Sequence, residues 1–155
     1  MNPLRRHFLH NASGTAAVAA LLAAGLLKPG RVLAAWNAEA FEAHTIGDAL
    51  KRIGADKAAP SPEILLKAPE IADNGSSVAV EVISRIPATQ RISLLVDKNP
   101  QPLILQMDFS PGAKPQLGAR IKMAETSNLR AVVEAGGKTY TVLREVQVTI
   151  GGCGG

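Results

Sequence analysis

The thiol of Cys153, the only cysteine in 155 residues, is the one side chain suited to covalent chemistry by itself. It lies third from the C-terminus, between Gly151-Gly152 and Gly154-Gly155. A thiolate is a nucleophile that forms disulfides and persulfides. Glycine has no Cβ, so the backbone beside the thiol is thin and fits a narrow channel. This pattern predicts a covalent carrier that presents a sulfur-bound group to other proteins.

The reach of this thiol depends on how many residues follow the last predicted strand, which ends at Ile150. Five further residues span at most roughly 17 Å, and Cys153 lies at most about 10 Å from the strand end. No Lys, Arg or His lies within the eight residues before Cys153, and Arg144 is the nearest basic residue. Because nearby cations favour the thiolate, we expect a partner protein to activate Cys153.

Other chemistries lack the residues they need. After residue 34 the chain has one histidine, His44, so the usual histidine and cysteine ligands cannot assemble a zinc site. There is no GxSxG elbow, phosphate-loop lysine or GxGxxG motif. We expect His44 to be a half-exposed helix residue, and Asp97 and Asp108 to lie at solvated strand ends. The sequence therefore predicts no metal, no cofactor and no catalysis by this chain.

The first 34 residues have the parts of an export signal. Arg5 and Arg6 precede the mildly apolar segment Ala12–Leu27, and a small-residue cleavage site ends at Ala34. The paired arginines and the weak apolar segment fit a twin-arginine signal, although Leu4 stands where Ser or Thr is usual. We therefore expect residues 1–34 to be removed, with cutting after Ala34 or one residue later, and the mature protein to be periplasmic.

An uncleaved anchor or an internal helix is the alternative interpretation of this segment. Pro29 and Gly30 disfavour it, because both residues interrupt helices. The chain has 17 basic and 13 acidic residues, and residues 1–34 hold four basic and no acidic ones. The mature part therefore has 13 of each sign and no basic cluster, which argues against nucleic acid as a partner. We also expect no membrane association after cleavage.

Two periodicities divide the mature chain. The segment from Asn37 to Gly54 predicts one helix, with Asn37 as its N-cap, Gly54 as its stop and an apolar stripe at helical spacing. That stripe consists of Ile46, Ala49, Leu50 and Ile53. After the connector, alternation with a period of two predicts eight strands. They cover residues 63–67, 78–83, 92–96, 103–109, 117–123, 129–135, 139–143 and 145–150.

Turn signals between the strands indicate how they connect. Gly136-Gly137 predicts a two-residue hairpin, and Asn74-Gly75 within Asp73–Ser77 predicts a turn with positive φ. Strands without alternating helices predict a mainly β fold, an immunoglobulin-like antiparallel β-sandwich with one N-terminal helix. The sandwich is one carrier domain over residues 35–150, without an internal disulfide, followed by a flexible glycine-rich arm over 151–155.

Four stretches of the chain resemble the SoxY family of bacterial sulfur oxidation: "EIADNGSSVAVEV", "DKNPQPL", "ARIKMAETSNLRAVVEAGGK" and "VTIGGCGG". The resemblance implies a sulfur carrier with Cys153 as the attachment residue and Gly151, Gly152, Gly154 and Gly155 as its arm. It also implies a heterodimer with SoxZ. The haem enzyme SoxAX would join thiosulfate to Cys153, the hydrolase SoxB would release sulfate, and SoxCD, where present, would oxidise the remaining sulfur.

Two other functions use the same cysteine. The chain could be a β-sandwich interaction module in which Cys153 makes a structural intermolecular disulfide, since an odd cysteine in an exported protein suggests such pairing. A thiol oxidoreductase ranks last, because the chain has no CxxC pair and no resolving cysteine. A chance cysteine on a frayed tail is disfavoured, because four glycines surround it symmetrically.

Overall fold

The computed structural model describes residues 37–150, so the predicted export signal with Arg5 and Arg6 and the predicted arm 151–155 lie outside the described residues. In chain order the elements are helices α1 (Ala38–Phe41) and α2 (Ile46–Arg52) and strands β1 (Ala59–Pro60), β2 (Ile64–Lys67), β3 (Ile71–Ala72), β4 (Val78–Ser84), β5 (Thr89–Val96), β6 (Leu103–Asp108), β7 (Gln116–Ile121), β8 (Ser127–Ala135) and β9 (Lys138–Val148). Between residues 37 and 150 no helix has the length and apolar character needed to cross a membrane.

The strands form two sheets. The larger sheet has the order β1-β9-β8-β5-β6, with β3 also paired to β9, and the smaller sheet has the order β2-β4-β7. The described pairs are antiparallel except β1–β9 and β3–β9, which are parallel. The prediction of a mainly β sandwich is confirmed. The stretch from β1 to β3 crosses from the larger sheet to the smaller one and back.

Apolar side chains from both sheets fill the space between them. In β4, Val78, Val80 and Val82 are buried and alternate with Ala79, Glu81 and Ile83, as the period of two predicts. The larger sheet faces this layer with buried residues of β5, β8 and β9, among them Ile92, Leu94, Leu129, Val133 and Val146. The sandwich interior thus combines aliphatic residues from two facing sheets.

Strand β5 is buried on both faces. All five residues from Ile92 to Val96 have at most 2% of their surface exposed. Leu94 belongs to the layer between the sheets, whereas Leu95 packs with Ala40 and Ala49 in a second cluster beneath the helices. The helices therefore cover the outer face of the larger sheet, which explains why side chains on both faces of the strand are buried from Ile92 to Val96.

The predicted single helix is wrong, because the structure has two helices separated by residues 42–45. Asn37 caps the first helix as expected, since its Oδ1 accepts from the Ala40 amide at 3.2 Å. Thr45 is the N-cap of the second helix, and its hydroxyl accepts from the Asp48 amide at 3.2 Å. The extended backbone of Thr45 separates the two helices. Gly54 follows the second helix with a φ of 68°, as a stop requires.

The strand predictions differ from the structure in number. The two predicted strands 139–143 and 145–150 are one strand, Lys138–Val148, and the two-residue strands β1 and β3 were not predicted. The hairpin turn at Gly136-Gly137 is confirmed, with φ values of 56° and 73°. Among described residues, positive φ does not occur at Asn74 or Gly75, so that expectation is wrong. Instead the Asn74 side chain stabilises the turn by accepting from the Ser76 amide at 2.8 Å.

Candidate functional site

The base of the predicted arm, residues Val148 to Ile150, is held by four hydrogen bonds. The Val148 amide donates to the Thr126 hydroxyl at 2.9 Å, and the Thr149 amide donates to the Ala72 carbonyl at 3.1 Å. The Thr149 hydroxyl donates to the Asp73 carbonyl at 2.9 Å. The Ile150 carbonyl accepts from the Gly75 amide at 2.9 Å. The last residue before the arm is therefore fixed to the body of the domain.

The turn Asp73–Ser77 joins the arm base to the smaller sheet. Gly75 is buried, donates its amide to Ile150 and accepts at its carbonyl from the Met123 amide at 2.7 Å. Met123 is fully buried and follows β7 of the smaller sheet. One residue of the turn thus contacts segments that extend from both sheets. This connection gives the arm a defined point of exit.

Charged groups around this exit have both signs. Glu70 and Asp73 are exposed on the β3 side, and Arg144 Nη2 lies 3.9 Å from Glu70 Oε1. On the β7 side, Arg120 Nη1 donates to the Ser77 hydroxyl at 3.3 Å. Lys122 is also exposed, just after β7. The sequence alone shows no nearby cation except Arg144, whereas the fold brings Arg120 to the turn that holds Ile150.

Most of the predicted site residues fall on undescribed parts of the chain. Cys153 and the four arm glycines Gly151, Gly152, Gly154 and Gly155 lie outside the described residues, so their assignment stays a prediction. The structure instead identifies Gly75, Thr126 and Thr149 as residues that hold the arm base, and sequence reasoning missed them. Their hydrogen bonds join segments that are far apart in the sequence. Hydrophobic periodicity and turn preferences are local signals and do not predict which distant residues will pair.

Three other residues discussed from the sequence have defined positions. His44 is exposed between the two helices, rather than within one, and its Nδ1 lies 3.2 Å from the Pro100 carbonyl oxygen. Asp97 is not at a solvated end, because its carboxylate accepts two hydrogen bonds from Arg130 at 3.2 and 3.1 Å. Asp108, in contrast, is largely exposed and accepts from Arg91 Nε.

One concavity among the described residues lies far from the arm base. It has a volume of about 620 Å³ and is lined by the loops before β5 and after β6 and by the β8–β9 hairpin. The 11 residues of β9 separate this end from the arm base by roughly 36 Å. Within residues 37–150 no group of three or more His, Cys, Asp or Glu side chains is arranged to hold a metal ion.

Comparison with known proteins identifies the family. A family profile described as "Sulfur oxidation protein SoxY" matches residues 50–153, a range that ends at Cys153. The chain belongs to the SoxY family. Curated protein sequences gave no match. The structure of the sulfur carrier protein SoxY from Chlorobium limicola f thiosulfatophilum is similar, with 40% identity and a TM-score of 0.63, and the alignment covers 73% of this chain and 99% of that one.

A more distant likeness exists outside the SoxY family. A superoxide reductase (neelaredoxin) from Ignicoccus hospitalis has 18% identity and a TM-score of 0.49, over 67% of this chain and 92% of its own. At this identity and TM-score the likeness says nothing about function. SoxY membership instead supports a sulfur-carrier role, which agrees with a chain that has its candidate chemistry in a terminal arm. The described body holds Ile150, the last residue before the predicted arm.

Proposed function

We propose that this chain is a periplasmic covalent carrier of sulfur intermediates, with thiosulfate attached to Cys153 and presented to partner enzymes for oxidation to sulfate. The observation on which this rests is the SoxY family match, which extends to Cys153. The arm base adds support, because Ile150 is bound to the domain and Cys153 follows it after only Gly151 and Gly152. The chain itself would catalyse no step.

The attachment step is an oxidation. The Cys153 thiol releases its proton, its sulfur forms a bond with the outer sulfur of thiosulfate, and two electrons pass to the haem groups of the partner SoxAX. Hydrolysis of the outer sulfur–sulfonate bond by SoxB then adds water, releases sulfate and leaves a persulfide on Cys153. Where SoxCD is present, it would oxidise that remaining sulfur. The carrier supplies the attachment residue and its tether. The partners supply the oxidant and catalyse the hydrolysis.

The same proposal includes a stable partner and a route of export. We place the chain in a heterodimer with SoxZ, and we place its export on the twin-arginine route through Arg5 and Arg6. Family membership supports the proposed heterodimer, and the paired arginines of the first segment support the proposed route. A carrier that must meet several enzymes gains from a tether that is short and anchored, because docking of the body then limits where the thiol can be.

Intact-mass spectrometry tests the proposed function. The purified heterodimer is incubated with thiosulfate and SoxAX, and the mass of this chain is measured before and after. We expect an increase equal to an added S₂O₃ unit, removed by a reductant because the new bond joins two sulfur atoms. The Cys153→Ser variant should show no increase. An unchanged mass for the wild-type chain, or an adduct that persists in Cys153→Ser, would contradict the proposal.

The alternative of a structural intermolecular disulfide predicts a different result. Non-reducing gels of periplasmic extract should then show a stoichiometric disulfide-linked species that does not change when thiosulfate is added. A carrier should instead show a free or sulfur-loaded thiol whose proportions follow the supply of thiosulfate. The gel and the intact mass together therefore separate the two functions.

A further inference from the structure

We infer that Thr126, Thr149 and the turn Asp73–Ser77 form a clamp that sets the length of the tether carrying Cys153. This inference rests on the proposed function, because a tether length matters only if the thiol must enter other proteins. Thr126, Thr149 and Gly75 are then positioning residues for the carrier reaction. They act through the backbone of Val148 to Ile150.

The position of Thr126 explains why its hydroxyl is needed. The ladder between β8 and β9 ends with Ser127 opposite Val146, so no strand residue of β8 lies opposite Val148. The Thr126 hydroxyl accepts from the Val148 amide at 2.9 Å and takes the place of the missing backbone acceptor. A side chain therefore extends the ladder by one bond beyond its last paired residue.

The other edge of β9 is held by β3 and the following turn. Ala72 pairs with Val148, and the Ala72 carbonyl accepts from the Thr149 amide. The Thr149 hydroxyl bonds the Asp73 carbonyl, which places a second side-chain bond at the same point. The Val148 amide is thus bound on one edge of the strand by Thr126, just before β8, and Thr149 on the other edge by Ala72 of β3 and Asp73 after it.

Gly75 completes the clamp beyond Thr149. Its amide donates to the Ile150 carbonyl at 2.9 Å, and its carbonyl is bound to Met123, which is fully buried. The turn is held in shape by the Asn74 side chain on the Ser76 amide at 2.8 Å. Because the turn is bonded to buried structure, Ile150 cannot leave the body without breaking its bond to Gly75.

The clamp determines how far the thiol is from the body. With Ile150 held, Cys153 is the third residue of the tether and lies within about 10 Å of the anchor. Release of Val148 to Ile150 would make Cys153 the sixth residue and double that limit. The effective concentration of a tethered group falls roughly as the −3/2 power of tether length, so full release corresponds to about a three-fold loss.

Hydrogen exchange tests whether the clamp exists. In the double variant Thr126→Val/Thr149→Val the volumes are nearly kept and both hydroxyls are lost, whereas Thr126→Ser/Thr149→Ser keeps both hydroxyls. We expect the Val148 and Thr149 amides to exchange faster in the valine variant, with the Ala131 and Val133 amides in the core unchanged. The serine variant should match the wild type. Unchanged exchange at Val148 and Thr149 in the valine variant would overturn the clamp.

Loading kinetics test whether the clamp positions Cys153. The kcat/KM for SoxAX-dependent loading is measured by intact mass for the wild type, both double variants and a variant with three glycines inserted after Ile150. The insertion lengthens the tether by three residues without removing a clamp bond, so it applies even if the valine variant fails to fold. We expect about a three-fold loss for the insertion, a loss approaching that level for the valine variant, and none for the serine variant.

The control is the reaction of Cys153 with a small aromatic disulfide reagent, which should proceed at one rate in all four proteins. Wild-type loading rates in the insertion variant would overturn the inference, as would equal losses of loading and of small-reagent reactivity. No loading of the wild-type chain would instead overturn the proposed function, while the exchange measurement would still decide whether the clamp exists. The two failures are therefore distinguishable.

Discussion

Asp73 and Thr149 are 76 residues apart in the chain, yet the hydroxyl of Thr149 bonds the carbonyl of Asp73. At the scale of single residues, the sequence predicts the turn Asp73–Ser77 because asparagine and glycine favour turns. It predicts Cys153 as the carrier because no other thiol exists. The contact between this turn and the base of the predicted arm joins residues far apart in the sequence. Local residue preferences therefore do not predict it.

A pH-dependent prediction belongs to Glu81, on the outer face of the smaller sheet. The hydrogen bond from Lys67 Nζ at 2.6 Å, with the Lys67 charge and a bond from Gln116, lowers the pKa of Glu81 below its ordinary value of 4.5, although desolvation opposes this. A lowered folded-state pKa means stabilisation that is present above about pH 4.5 and is lost as the pH falls through the folded-state pKa.

We therefore expect Glu81→Gln to lower the free energy of unfolding at pH 7, and the difference from the wild type to shrink as the pH falls below about 4.5. Urea unfolding at pH 7 and at acid pH measures this. Glu42→Gln is the matched control, because Glu42 is exposed and forms no ion pair with any described residue. A constant difference between wild type and Glu81→Gln across the pH range would contradict the pairing with Lys67.

At the scale of elements, regular alternation was predictable and interruptions were not. Val78 to Ile83 alternates in the sequence as it does in β4. The break between the helices depends on one residue, Thr45, which caps the second helix instead of continuing the first. Strands β1 and β3 have two residues each, so they carry no period to detect. Arg144 lies within the continuous strand β9, at the position where the sequence prediction placed a boundary between two strands.

The junction of β5 and β8 gives a prediction for stability. Asp97 follows β5 and accepts two hydrogen bonds from Arg130 of β8, with only 16% and 19% of the two side chains exposed. Asp97→Ala would leave the Arg130 guanidinium mostly buried without its partner. We expect a loss of about 2 kcal/mol in the free energy of unfolding.

Asp108→Ala provides the comparison, because Asp108 also pairs with an arginine across strands but is 70% exposed. Its loss should cost about 0.5 kcal/mol or less, since exposed ion pairs contribute little. Thermal or denaturant unfolding of both variants at neutral pH measures the two values. Equal destabilisation by the two substitutions would mean that burial does not increase the contribution of the Asp97–Arg130 pair to the free energy of unfolding.

At the scale of the whole molecule, the proposed function makes the body a support for a terminal group. The described residues carry equal numbers of basic and acidic side chains, and those nearest the arm exit have both signs. The fold class follows from the sequence because short alternating strands without intervening helices admit few architectures. The face that the proposed partner would cover does not follow from the sequence, since exposed apolar residues such as Leu65, Met107 and Leu143 are scattered over several strands.

Export of the whole chain is testable at this scale. Twin-arginine transport depends on the paired arginines, so replacing Arg5 and Arg6 with lysine should remove the chain from the periplasmic fraction while its total amount remains detectable. Immunoblots of fractionated cells measure the distribution. A variant in which only Lys51 and Arg52 are exchanged for each other controls for changes in basic residues. Undiminished periplasmic protein in the Arg5/Arg6 variant would contradict the export route.

Strand β9 runs from the loop-lined concavity at one end of the sandwich to the anchored Ile150 at the other. The concavity and the bonded Ile150 therefore lie at opposite ends of one strand. If the chain is the carrier that we propose, a protein bound at the concavity would leave the residues around Ile150 accessible to an enzyme.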